Sequence, residues 1–241
     1  MIKEAILQLL DLFDESRKVN HVVIHGREYV DKDLTRVDEY IPKRREVVVK
    51  SLLSLVSNLK QKEIDKDDVV LPLRIIVSEK RVVVLSSLDV NKERETLYVA
   101  EAQTPEIKFD RFITVEEMII QLQTCFEESI NKSQLIALIS KLSNDTSISL
   151  DDDGVTQKMT VTQGIKTTVQ LPPLVKLTPI RTFYEVKQPE QLFLLRIDKN
   201  GLVALFDAAG GRWKHDCQVV VTDYLVNEFD EEIGAGVVVV G

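Results

Sequence analysis

Residues 179–213 constrain the fold more than any other stretch of this chain. The segment PIRTFYEVKQPEQLFLLRIDKNGLVALFDAAGGRW holds three apolar runs separated by two turn signals. Gln188-Pro189-Glu190 divides the first two runs, and Asp198-Lys199-Asn200-Gly201 divides the second two. This pattern predicts an antiparallel three-strand meander, and Asn200-Gly201 supplies the positive φ angles of a tight type I′ hairpin turn.

Helical and strand periodicities surround that block. Ile2, Ala5, Ile6, Leu9 and Phe13 share one face of an opening helix over residues 2–15. Residues 21–25 and 28–30 flank Gly26-Arg27 as a small hairpin, an irregular charged stretch follows over 31–46, and Val47-Val48-Val49 is a short strand. Ser51 is placed to cap a helix that carries Leu52, Leu55, Val56 and Leu59 at i, i+3, i+4 and i+7. Three strands are expected within residues 69–102, the first with Leu71, Leu73, Ile75 and Val77 on one face. Pro72 cannot donate to a ladder, which places its end of that strand at an edge or bulge.

Thr114-Val115-Glu116-Glu117 is a capping box, followed by the apolar stripe Val115, Met118, Ile119, Leu122, Cys125 and Phe126. Leu135, Ile136, Ile139 and Leu142 form a second stripe, and the short connection over 129–132 predicts an antiparallel helix pair. Asp151-Asp152-Asp153-Gly154 is a turn, residues 155–163 alternate as a strand, and residues 216–229 form a closing helix. The expected class is α+β: a mixed α/β part over 1–105, a helical hairpin over 106–145, and a β-rich part with meander and closing helix over 146–241.

Composition narrows the function. A hydrophobic fraction of 44% and a charged fraction of 29% over 241 residues are those of an ordinary folded domain. The net charge of −8 repels phosphate backbones, and Lys43-Arg44-Arg45 is the densest basic cluster, so direct nucleic-acid binding is disfavoured. Cys125 and Cys217 do not make a disulfide framework and read as buried thiols. Glu4, Asp11 and Asp14 interrupt the N-terminal apolar pattern, unlike a signal peptide, and no run approaches the ~18 apolar residues that span a bilayer. A cytosolic location is expected.

Motifs with chemistry are sparse. His21 and His25 share an i, i+4 spacing, but four residues of strand separate such rings by roughly 13 Å, too far for one zinc ion. His215-Asp216-Cys217 offers adjacent residues, which rarely converge on one metal. An EF-hand register on Gly154 puts Thr160 where the bidentate Glu belongs. Neither a phosphate-binding glycine loop nor a nucleophile elbow occurs. No metal or cofactor is expected, and the chain is read as a non-enzyme.

Arg181-Thr182-Phe183 with Val186, Gln188-Pro189, Phe193 and Arg196, followed by Phe206, Gly210-Gly211 and Trp213, carries the strongest family pattern. Met1-Ile2-Lys3-Glu4-Ala5, Ser51-Leu52 and Asp152-Asp153-Gly154-Val155-Thr156-Gln157 add to it. These features resemble a family of proteins, without assigned activity, encoded by tailed phages and prophages of Gram-positive bacteria. The resemblance implies an early phage gene, of the kind found among replication, recombination or counter-defence genes, acting in the cytoplasm of the bacterial host. It transfers no active site. Residues 31–45 and the valine tail lie outside it.

The expected function is non-catalytic binding that sequesters a host protein or a small signalling molecule. The alternative is an accessory role in phage DNA replication or recombination through protein contacts. For a ligand, Arg181, Tyr184, Arg196, Arg212 and Trp213 are the candidate residues, because Arg and aromatic side chains suit planar anions. The tail Val237-Val238-Val239-Val240 has no charge after Glu232 and is expected to add as a strand, either to its own sheet or to a neighbouring subunit in a homo-oligomer.

Overall fold

Helices and strands combine in an α+β architecture. The structure, a computed structural model, describes residues 2–17, 20–30, 44–61, 70–140, 148–152, 157–163, 165–170 and 174–241. The chain divides into one unit over 1–43 and a second over 44–241.

The first unit contains α1 (Ile2–Arg17) and the hairpin of β1 (His21–Ile24) and β2 (Arg27–Val30). Ile24 pairs with Arg27, so the turn is His25-Gly26, one residue before the expected place. Both turn residues have positive φ, 51° and 76°, as a two-residue type I′ turn requires. The charged stretch expected over 31–46 lies outside the described residues as far as residue 43.

In the second unit, β3 (Val47–Val49), α2 (Leu52–Lys60), β4 (Leu73–Val77), β5 (Arg81–Leu85) and β6 (Thr96–Glu101) follow the sequence expectations closely. Ser51 caps α2 by accepting from the Ser54 amide at 3.1 Å. Then come α3 (Val115–Cys125) and α4 (Ile130–Ser140), which pack together, with the full capping box formed between Thr114 and Glu117. Three antiparallel strands, β7 (Ile148–Asp152), β8 (Gln157–Gln163) and β9 (Ile165–Gln170), form a separate sheet. Asp151 and Asp152 belong to β7, whereas Asp153 and Gly154 of the expected turn lie outside the described residues, as does Leu142. The chain continues through β10 (Leu174–Leu177), β11 (Gln191–Ile197), β12 (Val203–Asp207), α5 (Arg212–Glu228), α6 (Asp230–Gly234) and β13 (Val238–Val240).

The meander exists, but its first strand is not the expected one. β10, ahead of Pro179, pairs with β11 from Leu174↔Leu194 to Leu177↔Gln191, and β11 pairs with β12. Residues 180–187 instead curl around the Gln188 side chain. Its Oε1 accepts from the Arg181 and Thr182 amides at 2.9 and 3.1 Å, and its Nε2 donates to the Phe183 and Val186 carbonyls at 2.8 and 3.3 Å. These bonds supply locally what a ladder would have supplied. The second turn also differs from type I′. Only Gly201 has positive φ (78°), and the Asp198 amide donates to the Leu202 carbonyl, giving a three-residue loop with a left-handed glycine. Asp198 Oδ1 favours this form by accepting from the Asn200 and Leu202 amides at 2.9 and 2.8 Å.

Two cores result. Met118 and Leu122 of α3 and Leu135 and Ile139 of α4 cover the meander residues Leu177, Phe193, Leu195 and Val203. The other core lies on a five-stranded sheet of order β13-β4-β5-β6-β3. Leu52 and Leu55 of α2 and Val221 and Leu225 of α5 bury against Ile75, Val82, Val84 and Ala100 there, joined by Phe183 and Val186. Thus the closing helix packs on this sheet. Pro72, expected at an edge or bulge, lies just ahead of β4, which has neighbours on both sides; the sheet edge is taken by β13, which runs parallel to β4.

Candidate functional site

The candidate ligand residues do not converge. Tyr184 is exposed, Arg196 donates from Nη1 to the Leu195 carbonyl at 3.2 Å, and Arg212 projects outward, 3.7 Å from Asp216 one helical turn on. Only Arg181 and Trp213 meet.

Arg181 is buried. Gln188 fixes its backbone, and its guanidinium lies between rings, 4.4 Å from the centre of Phe109 and 4.7 Å from that of Trp213. Phe109 in turn stacks on Phe193 at 5.1 Å. Nη1 donates to Gln191 Oε1 at 2.6 Å and to Asp207 Oδ2 at 3.0 Å. Burial lowers the Arg181 pKa from its ordinary value, and the bond to Asp207 opposes that shift. Cys217, fully buried near this guanidinium, has its thiol pushed up to about 11 by burial, with the Arg181 charge pulling the other way. Beside Arg181, the Thr182 hydroxyl is buried without a hydrogen-bond partner.

This arrangement is a clamp between the meander and the start of α5. Arg181 has its charge matched by Asp207 and lies over the Phe109 and Trp213 rings, which leaves little for an anionic ligand. Gln191, Asp207 and Phe109 were not among the sequence candidates. Strand alternation gives a weak signal for Gln191 and Asp207, and nothing local marks Phe109. The cleft of about 480 Å³ beside Arg212 carries balanced charge, with Lys176 3.5 Å from Glu190 and Arg212 beside Asp216. Among the described residues, no group of three or more His, Cys, Asp or Glu side chains is placed to hold a metal ion.

Open apolar surface is concentrated in the first unit. On α1, Ile6, Leu7, Leu9, Leu10, Leu12 and Phe13 are 53–63% exposed, and Val22, Val23 and Ile24 of β1 are also exposed. Ile6, Leu9, Leu10 and Phe13 fall at i, i+3, i+4 and i+7, the periodicity of a buried face, yet each is more than half exposed. No described helix is long and apolar enough to cross a membrane. No protein-family model, curated protein or solved structure matches the chain.

Proposed function

We propose that this is a phage-encoded, non-catalytic binding protein of the host cytoplasm, and that it acts by sequestering a host protein in a counter-defence role. The observation that carries the reading is the exposed apolar stripe of α1 formed by Ile6, Leu9 and Leu10. An amphipathic helix of this kind suits a hydrophobic groove on a partner, where side chains at i, i+3, i+4 and i+7 act as anchors. Capture of a small anionic signalling molecule has less support, because Arg181 is buried and matched by Asp207 whereas Tyr184 is exposed. An accessory role in phage DNA replication or recombination would use the same helix and differ only in its partner.

Affinity capture from infected cells tests the proposal, comparing the native chain with a Leu9→Glu/Phe13→Glu variant. The expected result is a stoichiometric complex with a host defence protein that reassembles from purified components and is lost in the variant. A replication or recombination protein recovered in the same variant-sensitive way would move the assignment to the accessory role. A complex that the variant retains would overturn the role of α1, and turnover of a substrate by the pure chain would overturn the non-catalytic reading.

A further inference from the structure

The two edges of the five-stranded sheet are treated differently. β3 is flanked by Arg44, Arg45 and Glu46 on one side and Lys50 on the other, and Lys50 is held by Glu101 at 2.6 Å. Charges of this sort discourage a further strand from adding. β13 has no such guard: no charged side chain follows Glu232, and neither proline nor bulge interrupts it.

Hydrogen-bond parity decides what the β13 edge offers. The Leu73 amide donates to the Val237 carbonyl at 2.8 Å, and the Gly241 amide donates to the Ile75 carbonyl at 3.0 Å. In a parallel ladder, alternate residues face the neighbouring strand, so Val239 turns its amide and carbonyl toward β4 with these two. Val238 and Val240 therefore direct theirs away from β4, to the side where no described strand lies, with Val238 as a whole only 4% exposed. Val239 is 42% exposed, as is Val219 on α5, the helix packed beside β13, and Val226, two turns on along the same face of that helix, is 38% exposed. Val219, Thr222, His215 and the acidic Asp223 line a cleft of about 330 Å³ with Gly241 at the end of the strand.

We infer that this edge pairs with the β13 edge of a second copy of the chain, antiparallel about a two-fold axis through Val239. That register sets Val238 opposite Val240 of the other copy twice over. The outward groups then satisfy one another in four main-chain hydrogen bonds, and the two Val239 side chains form a cross-strand pair. A two-fold contact must be self-complementary, and an uncharged three-valine strand with its outward residues symmetric about the centre meets that condition. The copies join two five-stranded sheets into one continuous sheet and bring the exposed valines of each α5 toward those of the other.

Light scattering coupled to size exclusion tests the inference on the full chain. The expected mass is twice the 27.4 kDa of one chain. Val240→Pro removes an outward amide and part of the Val240 packing but leaves the bonds to β4, and Val239→Lys places like charges at the axis. Both are expected to halve the mass while circular dichroism and cooperative unfolding stay those of the native chain. Leu9→Glu/Phe13→Glu, which disables the proposed partner helix, is expected to keep the doubled mass, so the two readings fail separately. Should Val240→Pro not fold, Val239→Lys decides alone. A native chain of single mass, or a doubled mass that survives the β13 variants, overturns the inference.

Discussion

The Arg181 guanidinium places its central carbon 4.7 Å from the Trp213 ring centre, while Asp207 Oδ2 sits 3.0 Å from Nη1. Removing the cation leaves a largely buried carboxylate unmatched and two aromatic faces uncovered. Arg181→Ala is expected to lower the unfolding free energy by about 3 kcal/mol, the lower end for breaking a buried pair because Asp207 retains some solvent contact. Arg181→Lys keeps the charge and loses the flat stacking surface, so its cost is expected near 1–2 kcal/mol. Urea denaturation of both variants checks the ranking.

Gln188 is the organising side chain of the segment that leads into both cores. Gln188→Ala strips partners from two amides and two carbonyls in a buried loop, and an expected loss of about 2–4 kcal/mol follows. Gln188→Glu cannot donate to the Phe183 and Val186 carbonyls and is expected to be no better. The same denaturation curves measure both. A loss under half a kcal/mol would show that the loop is held by its apolar anchors alone.

Thr182 gives the opposite sign. Its hydroxyl is buried without a partner, so the folded state carries a desolvation cost that the near-isosteric Thr182→Val removes. An increase of about 1 kcal/mol is expected in the unfolding free energy.

Cys217 sets an alkaline limit. Burial raises its folded pKa from 9.0 to about 11, so above pH 9 the unfolded chain loses a proton that the folded chain keeps. Stability from this thiol is therefore complete below pH 9 and falls as pH rises toward 11. The native chain is expected to be more stable than Cys217→Ala at pH 8, with the gap narrowing by pH 10.5. Parallel curves at the two pH values would show that the thiol does not titrate in this way.

Local features were legible in the sequence and distant partnerships were not. Ser51 and the Thr114–Glu117 box announce their helices because a cap and its amide lie within one turn. Residues 180–187 alternate as convincingly as a strand, yet they lie off the sheet and make four bonds to Gln188, a side chain reaching back along its own segment. Val238 finds Leu73 across most of the second unit, and no residue near either names the other. Likewise, Arg181 and Trp213 could be chosen by residue type, whereas Phe109 and Asp207, which give the pair its meaning, come from separate segments. On α1, periodicity describes a face and is silent on what covers it.

The placement of β13 beside β4 has a temporal side. A ribosome releases Leu73–Val77 long before it reaches Val238–Val240, and the whole helical hairpin and meander are made in between. Until then Ile75 and Val84 lack α5 above them, and β4 lacks its outer neighbour. The nascent chain must wait with a half-roofed sheet, so its passage to the native state is governed by a late, long-range closure and is correspondingly slow.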